Sequence, residues 1–186
     1  MAEQFEFEIV FALPGSAHDP IEISNAVFEA GFEDAIVGTG IAGLVAVELE
    51  AEGEDAETVI LKSARALIHV LPAGTRLREV RPDLVSLADV AKKIEVKRQA
   101  LQQREMPLPS LGGMYRIDEI EVFLTEGEIK KPGRRRARYN IENARNWLRS
   151  GRAARIVNAK LTTSEIDPVS LEYRMADAGK GQKIAS

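Results

Sequence analysis

The chain has 186 residues, 45% hydrophobic and 29% charged, the make-up of a soluble globular protein of one large or two small domains. It has no cysteine, its two histidines (His18 and His69) lie far apart, and its acidic start MAEQFEFEIV lacks a basic n-region. These features argue against a disulfide framework, a metal site and a signal peptide. With no apolar run near the roughly eighteen residues of a membrane span, they predict a cytoplasmic protein with no metal, no cofactor and no membrane partner.

The net charge of −4 is an average of two opposite parts. Residues 1–61 hold fourteen acids and no Lys or Arg, so the remaining fifteen acids face all twenty-five bases; the parts are formally −14 and +10. An acidic part repels phosphate and a basic part attracts it, so two jobs are expected on one chain.

In chain order, Phe5, Phe7, Ile9 and Phe11 alternate with Glu6 and Glu8, the period of a half-buried strand. Asp19 as N-cap and Pro20 at the first helical position open a short helix with Ile21, Ile23, Val27 and Phe28 apolar, stopped by Gly31. Gly38-Thr39-Gly40-Ile41-Ala42-Gly43 then spells G-x-G-x-x-G. A dinucleotide fingerprint needs a helix after its glycines to carry the pyrophosphate. Here the glycines are succeeded by Leu44, Val45 and Val47 leading into Glu48, Leu49 and Glu50, a β-rich segment without a nearby base. They therefore predict a β-hairpin connection. Asp55 caps a longer helix with Val59, Ile60, Ala64, Leu67, Ile68 and Leu71 apolar, ended by Pro72 and Gly74; Leu77 and Val80 mark a last strand. The order β-α-β-β-α-β is the ferredoxin-like arrangement, assigned to residues 1–82 as an acidic dimerisation or sensing domain.

Ser86 can cap a helix over 87–94, and a second helix begins near Lys97, with Ala91 small where two helices must cross and Val90, Ile94, Val96 and Leu101 apolar. The spacing of SLADVAKKIEVKRQALQQR resembles the helix-turn-helix of bacterial DNA-binding proteins. The glycine usual at the turn is Glu95 here, which requires a strained or different turn. Then come MPLPS, a Gly112-Gly113 turn, a strand over 114–117, and a helix capped by Asp118 with Ile120, Phe123 and Leu124 facing inward. A helix-turn-helix followed by P-x-P, a glycine turn and Y-R-x-x-E-I-x-x-F-L resembles the winged DNA-binding domains of MerR-like regulators and phage excisionases, over residues 84–150.

YRIDEIEVFL (115–124) and YNIENARNWL (139–148) also align without gaps, as a duplicated strand–helix unit or two similar amphipathic solutions. KKPGRRRAR before the second copy offers a further wing-like hairpin at Pro132-Gly133. Ten bases fall within residues 130–155, among them Arg145, Arg149, Arg152 and Arg155, with Glu142 the only acid. Such a run repels itself unless a polyanion is present. Tyr139 and Trp147 interleave with it; at helical spacing from Ile141 and Ala144, Trp147 is expected in the core.

The resemblance implies a helix starting at Lys97 in the major groove. Lys97, Arg98, Gln99, Gln102 and Gln103 are the candidate base-edge contacts, with Arg104 on phosphate. Arg116, Lys130 and Lys131 are further DNA-contact candidates, and Arg134, Arg135, Arg136 and Arg138 are expected on backbone or minor groove. The domain assignment is then 1–82, a basic winged helix-turn-helix domain at 84–157, and a flexible tail at 158–186. In that tail Leu161, Ile166, Val169, Leu171 and Tyr173 are anchors for a protein partner. The expected activity is that of a sequence-specific double-stranded-DNA-binding transcriptional regulator, not an enzyme, working as a homodimeric autorepressor or antitoxin-like protein. Two alternatives stand beside it: an excisionase-like architectural protein that bends DNA, and a regulator that senses a small molecule through its N-terminal domain.

Overall fold

The computed structural model describes residues 2–128, 133 and 139–174. The chain is mixed α+β. Its first six elements are β1 (Glu3–Ala12), α1 (Pro20–Glu29), β2 (Ile36–Gly38), β3 (Leu44–Gly53), α2 (Ala56–Val70) and β4 (Arg76–Arg81). The four strands form one antiparallel sheet in the order β2-β3-β1-β4. β1 pairs with β3 along its whole length, from Glu3 opposite Gly53 to Ala12 opposite Leu44.

Local chemistry accounts for these elements. The alternation in β1 buries Phe5, Phe7, Ile9 and Phe11. The Asp19 carboxylate accepts from the Ile21 N–H at 2.8 Å and that of Asp55 from the Thr58 N–H at 2.8 Å, satisfying donors that each first turn leaves open. In α1 only Ile23 and Val27 are buried, whereas Ile21 and Phe28 are exposed; the expected four-residue stripe is thus two residues wide. The fingerprint glycines lie in a β-hairpin, with Gly38 opposite Ala46 and no helix after them. Gly43 has φ +78, and a Cβ there would come 3.2 Å from the Gly15 carbonyl oxygen, so the turn needs glycine twice over.

The remaining elements are β5 (Leu84–Val85), α3 (Leu87–Lys93), α4 (Arg98–Gln102), a 3-10 turn (Leu111–Gly113), β6 (Tyr115–Arg116), α5 (Ile117–Glu128), a second 3-10 turn (Glu142–Ala144) and α6 (Arg145–Thr162). They build a second core from Val85, Val90, Ile94, Leu101, Ile120, Leu124 and their neighbours. The strand expected over 114–117 is shorter, and it pairs back to β5, with Leu84 opposite Arg116. Asp118 does not cap α5. It lies in the first turn, where its Oδ2 meets Arg155 Nε at 3.2 Å.

α6 joins the two cores. Trp147 and Leu148 from its first half belong to the second core, while Ala153, Ala154 and Val157 pack with β1 and β4 in the first. Gly151, between them, leaves room for Pro82 and Ile117. The boundary expected at 157 therefore falls inside a continuous helix. The flexible tail expected from 158 is also corrected as far as Arg174. Ile166 and Leu171 are fully buried in the first core and Leu161 packs against it, each fully buried side chain contributing roughly 1.5–3 kcal/mol. Three of the five expected anchors thus pack within the chain itself, while Val169 and Tyr173 are exposed.

This segment also closes the outer edge of β4. Asn158 accepts from the Val80 N–H and donates to the Val80 carbonyl, both at 2.8 Å, and the Leu77 N–H reaches the Pro168 carbonyl at 2.8 Å. An exposed strand edge invites pairing with other chains, and a covered one does not. Asp167 fastens the return: its carboxylate accepts from the Ser170 N–H at 3.0 Å, from Arg174 at 2.7 Å and from the Val169 N–H at 2.9 Å. Led by the Ser170 bond, these hold it far below the usual carboxylate range. Residues 175–186 lie outside the described residues.

Candidate nucleic-acid interface

Among the described residues, α4 and its flanks carry six of the seven expected DNA-contact residues, and α3 packs beside it. α3 opens with a reciprocal capping box: the Asp89 N–H donates to Ser86 Oγ at 3.2 Å, and the Ser86 N–H donates to the Asp89 carboxylate at 3.0 Å. Leu87, Val90 and Ala91 form its buried face, and Lys92 and Lys93 lie in its last turn, where cations complement the helix dipole.

The turn resolves the question raised by Glu95. Its φ is +55, the left-handed conformation that a glycine adopts freely. The Val96 N–H bonds the Ala91 carbonyl at 2.9 Å and the Glu95 N–H bonds that of Lys92 at 3.3 Å, which is the Schellman pattern of helix termination. Glu95 thus makes the turn a glycine would make, with the backbone strain of a residue that has a Cβ.

α4 is held to the module by one buried side chain, Leu101. Lys97, Arg98, Gln99, Gln102, Gln103 and Arg104 are all exposed on this helix and its flanks. Arg116 is exposed on β6, with Glu119 at 3.9 Å. Lys130, Lys131, Arg134, Arg135, Arg136 and Arg138 lie outside the described residues, as does the hairpin expected around Pro132.

Tertiary structure sorts the bases into two groups. Lys93 pairs with Glu6 and Arg149 with Glu3, both acids from β1. The hydrogen bond from Arg149 lowers the Glu3 carboxyl below its ordinary range. Arg155 meets Asp83 and Asp118, each at 3.2 Å, and Arg152 lies 3.9 Å from Glu121. Along the chain Arg149, Arg152 and Arg155 belong to a run with a single counter-charge; the fold supplies the missing acids from distant segments. Lys92, Lys97, Arg98 and Arg104, in contrast, have no ion-pair partner among the described residues. Lys92 is a base that the sequence pattern did not bring into the candidate set. Its place one helical turn beyond the exposed Asp89, in the last turn of α3, was the available signal.

The pairs with β1 also relieve the N-terminal sheet. Glu6 stands opposite Glu50 and Glu8 opposite Glu48, cross-strand like charges that destabilise a sheet. Lys93 engages Glu6, Arg81 lies 3.2 Å from Glu8, and the Gln4 amide donates to Glu50 at 2.6 Å. A cleft of about 310 Å³ runs between this face and α3, lined by Glu8, Glu48, Arg81, Lys92 and Trp147 among others.

Tyr139 and Trp147 are buried in the second core, so the Trp147 ring packs inside the module as its spacing suggested. The echoed segments bury matched positions: Ile117 and Ile141, Ile120 and Ala144, Leu124 and Leu148. The strand of the first copy is not repeated at Tyr139-Asn140, so the likeness lies in two amphipathic stripes facing one core.

Among the described residues no group of three or more His, Asp or Glu side chains is placed to hold a metal ion, and no helix is long and apolar enough to cross a membrane. No protein-family model, curated protein or solved structure matches the chain.

Proposed function

We propose that this chain is a sequence-specific double-stranded-DNA-binding transcriptional regulator that acts as a homodimer. Its N-terminal domain is read as ferredoxin-like and its basic module as a winged helix-turn-helix. The strand order β2-β3-β1-β4 with two sheet-packed helices supports the first reading. The pairing of β5, before the helix pair, with β6, after it, supports the second.

One observation carries the proposal: α4 and its flanks expose three cations and three glutamines, the cations lack an acidic partner among the described residues, and only Leu101 turns inward. Arginine suits the guanine edge and glutamine the adenine edge in a major groove. One such helix reads few base pairs, so a two-fold dimer on a palindromic site supplies the specificity. The arginine-rich residues 134–138 then hold phosphates, which position the protein without reading sequence.

Binding-site selection from random duplexes, followed by salt titration on the winner, tests this. Enrichment of a palindrome is expected, with log affinity falling by about 0.9 per log unit of salt for each phosphate neutralised. No enrichment, or affinity indifferent to salt, overturns the proposal.

A further inference from the structure

The sheet has two outer edges, and they are treated differently. That of β4 is closed by Asn158 and Pro168. On the opposite side β1 runs beside β3 from Leu44 to Gly53, whereas β2 pairs with β3 only at Ala46, Val47 and Glu48. Residues 49–53 therefore have a strand on one side alone, and among the described residues no backbone hydrogen bond reaches their outer groups. Such a row of unpaired N–H and C=O groups is a template for another extended chain.

A pocket of about 540 Å³ opens at this uncovered edge. It is lined by Gln4 and Glu6 of β1, Glu48, Leu49 and Glu50 of β3, and residues 31–36. Its far wall is fixed: the Phe32 N–H bonds the Val27 carbonyl at 3.4 Å and the Ala35 N–H bonds the Phe32 carbonyl at 3.2 Å. Acids line the pocket and no base does. Lys93 holds Glu6 and the Gln4 amide holds Glu50. Glu33, Asp34 and Glu48 are exposed and have no ion-pair partner among the described residues.

We infer that this edge takes an extended basic segment of a partner protein as an added strand, in line with β2. In such docking the backbone pairing gives affinity and alternate side chains give specificity. Successive side chains of a strand point to opposite faces. Those on the face of Glu48 and Glu50 are lysine or arginine, with their stems along Ile36, which is 66% exposed. Those between are apolar and turn to the face where Leu49 and Phe32 pack on the first core. Charge selects this occupant over two others. An all-acidic lining repels nucleic-acid phosphate, and it repels the same edge of a second copy, because residues 1–61 hold no base. The inference is independent of the DNA-binding reading, and either can fail alone.

The test uses the full chain and a fluorescently labelled peptide of about six residues, the usual length of a strand, alternating lysine and valine. Saturable binding by anisotropy is expected, with amide hydrogen exchange slowed at alternate residues within 49–53. The same peptide N-methylated at alternate residues keeps its charge but loses a row of donors, and it should bind about tenfold more weakly or worse. Asp34→Lys/Glu48→Lys should weaken the unmodified peptide by about tenfold, since each reversal turns an attraction into a repulsion. Glu48 stands opposite Glu8, so its replacement by a base does not oppose the fold. No saturable binding, equal binding of the methylated peptide, or exchange slowed only outside 49–53 overturns the inference. Spermine that slows the same amides as strongly as the peptide assigns the pocket to a polyamine and also overturns it.

Discussion

Replacing Gly151 by alanine probes the joint between the two cores. Gly151 lies inside α6, where helix propensity alone favours alanine by about 0.8–1.0 kcal/mol. The surroundings oppose it. A Cβ would press against Ile117 Cγ1, stand 2.8 Å from the Pro82 carbonyl oxygen and 3.1 Å from Ile117 Cγ2. Overpacking of this kind costs about 1–3 kcal/mol. The upper end applies, because one obstacle is backbone and Ile117 is fully buried. The gain of about 1 kcal/mol against a cost of about 3 kcal/mol leaves a net loss of about 2 kcal/mol. For a chain of this size that lowers Tm by roughly 4–8 °C. Urea unfolding monitored both by far-UV circular dichroism and by fluorescence of Trp147, the single tryptophan, should show the two signals falling together, since α6 serves both cores. Gly40→Ala is the control: nothing lies within 4 Å of its Cβ position, so a change within about 0.5 kcal/mol is expected. A Gly151→Ala chain as stable as the wild type, or more stable, would show that α6 does not cross Pro82 and Ile117 at this distance.

The same geometry sets three more expected outcomes. Asn158→Ala strands the Val80 N–H and carbonyl and removes a 3.0 Å bond to Asp83; a loss of about 1–3 kcal/mol in denaturant unfolding is expected, and an unchanged midpoint would contradict the edge-closing role. Glu95→Gly exchanges a left-handed penalty of about 1–2 kcal/mol for a glycine entropy cost of about 0.5–1 kcal/mol, so thermal unfolding should shift upward slightly; a clear downward shift would refute the positive φ. Arg98→Ala should weaken binding to the selected site by about 1–3 kcal/mol and to random duplex far less, whereas Arg135→Ala should weaken both alike; an equal loss on both duplexes for Arg98→Ala would remove it from the base-reading set.

Much of the architecture is legible in the sequence because it rests on short-range chemistry. Strand alternation at Phe5–Phe11, caps at Asp19, Asp55 and Ser86, and a hairpin rather than a nucleotide turn at the glycines all depend on neighbours within a few residues. The candidate helix at Arg98 is legible for the same reason: its polar residues surround one apolar position, Leu101, and that pattern survives folding. The misplaced features share a different cause. Asp118 resembles a cap because it starts an amphipathic run, but a base thirty-seven residues later claims it. Ile166 and Leu171 look like scattered apolar residues in a polar tail, since the surface that buries them belongs to the N-terminal sheet.

Sequence by itself thus determined where elements begin, which strand faces are apolar, and that acids and bases are segregated along the chain, all consequences of periodicity and local hydrogen bonding. Tertiary structure alone decided which bases among the described residues stay unpaired and how the two cores are joined. Ion pairs such as Glu3 with Arg149 form between residues 146 positions apart. A helix like α6 can also serve two cores at once, because its two halves meet partners that no local pattern specifies.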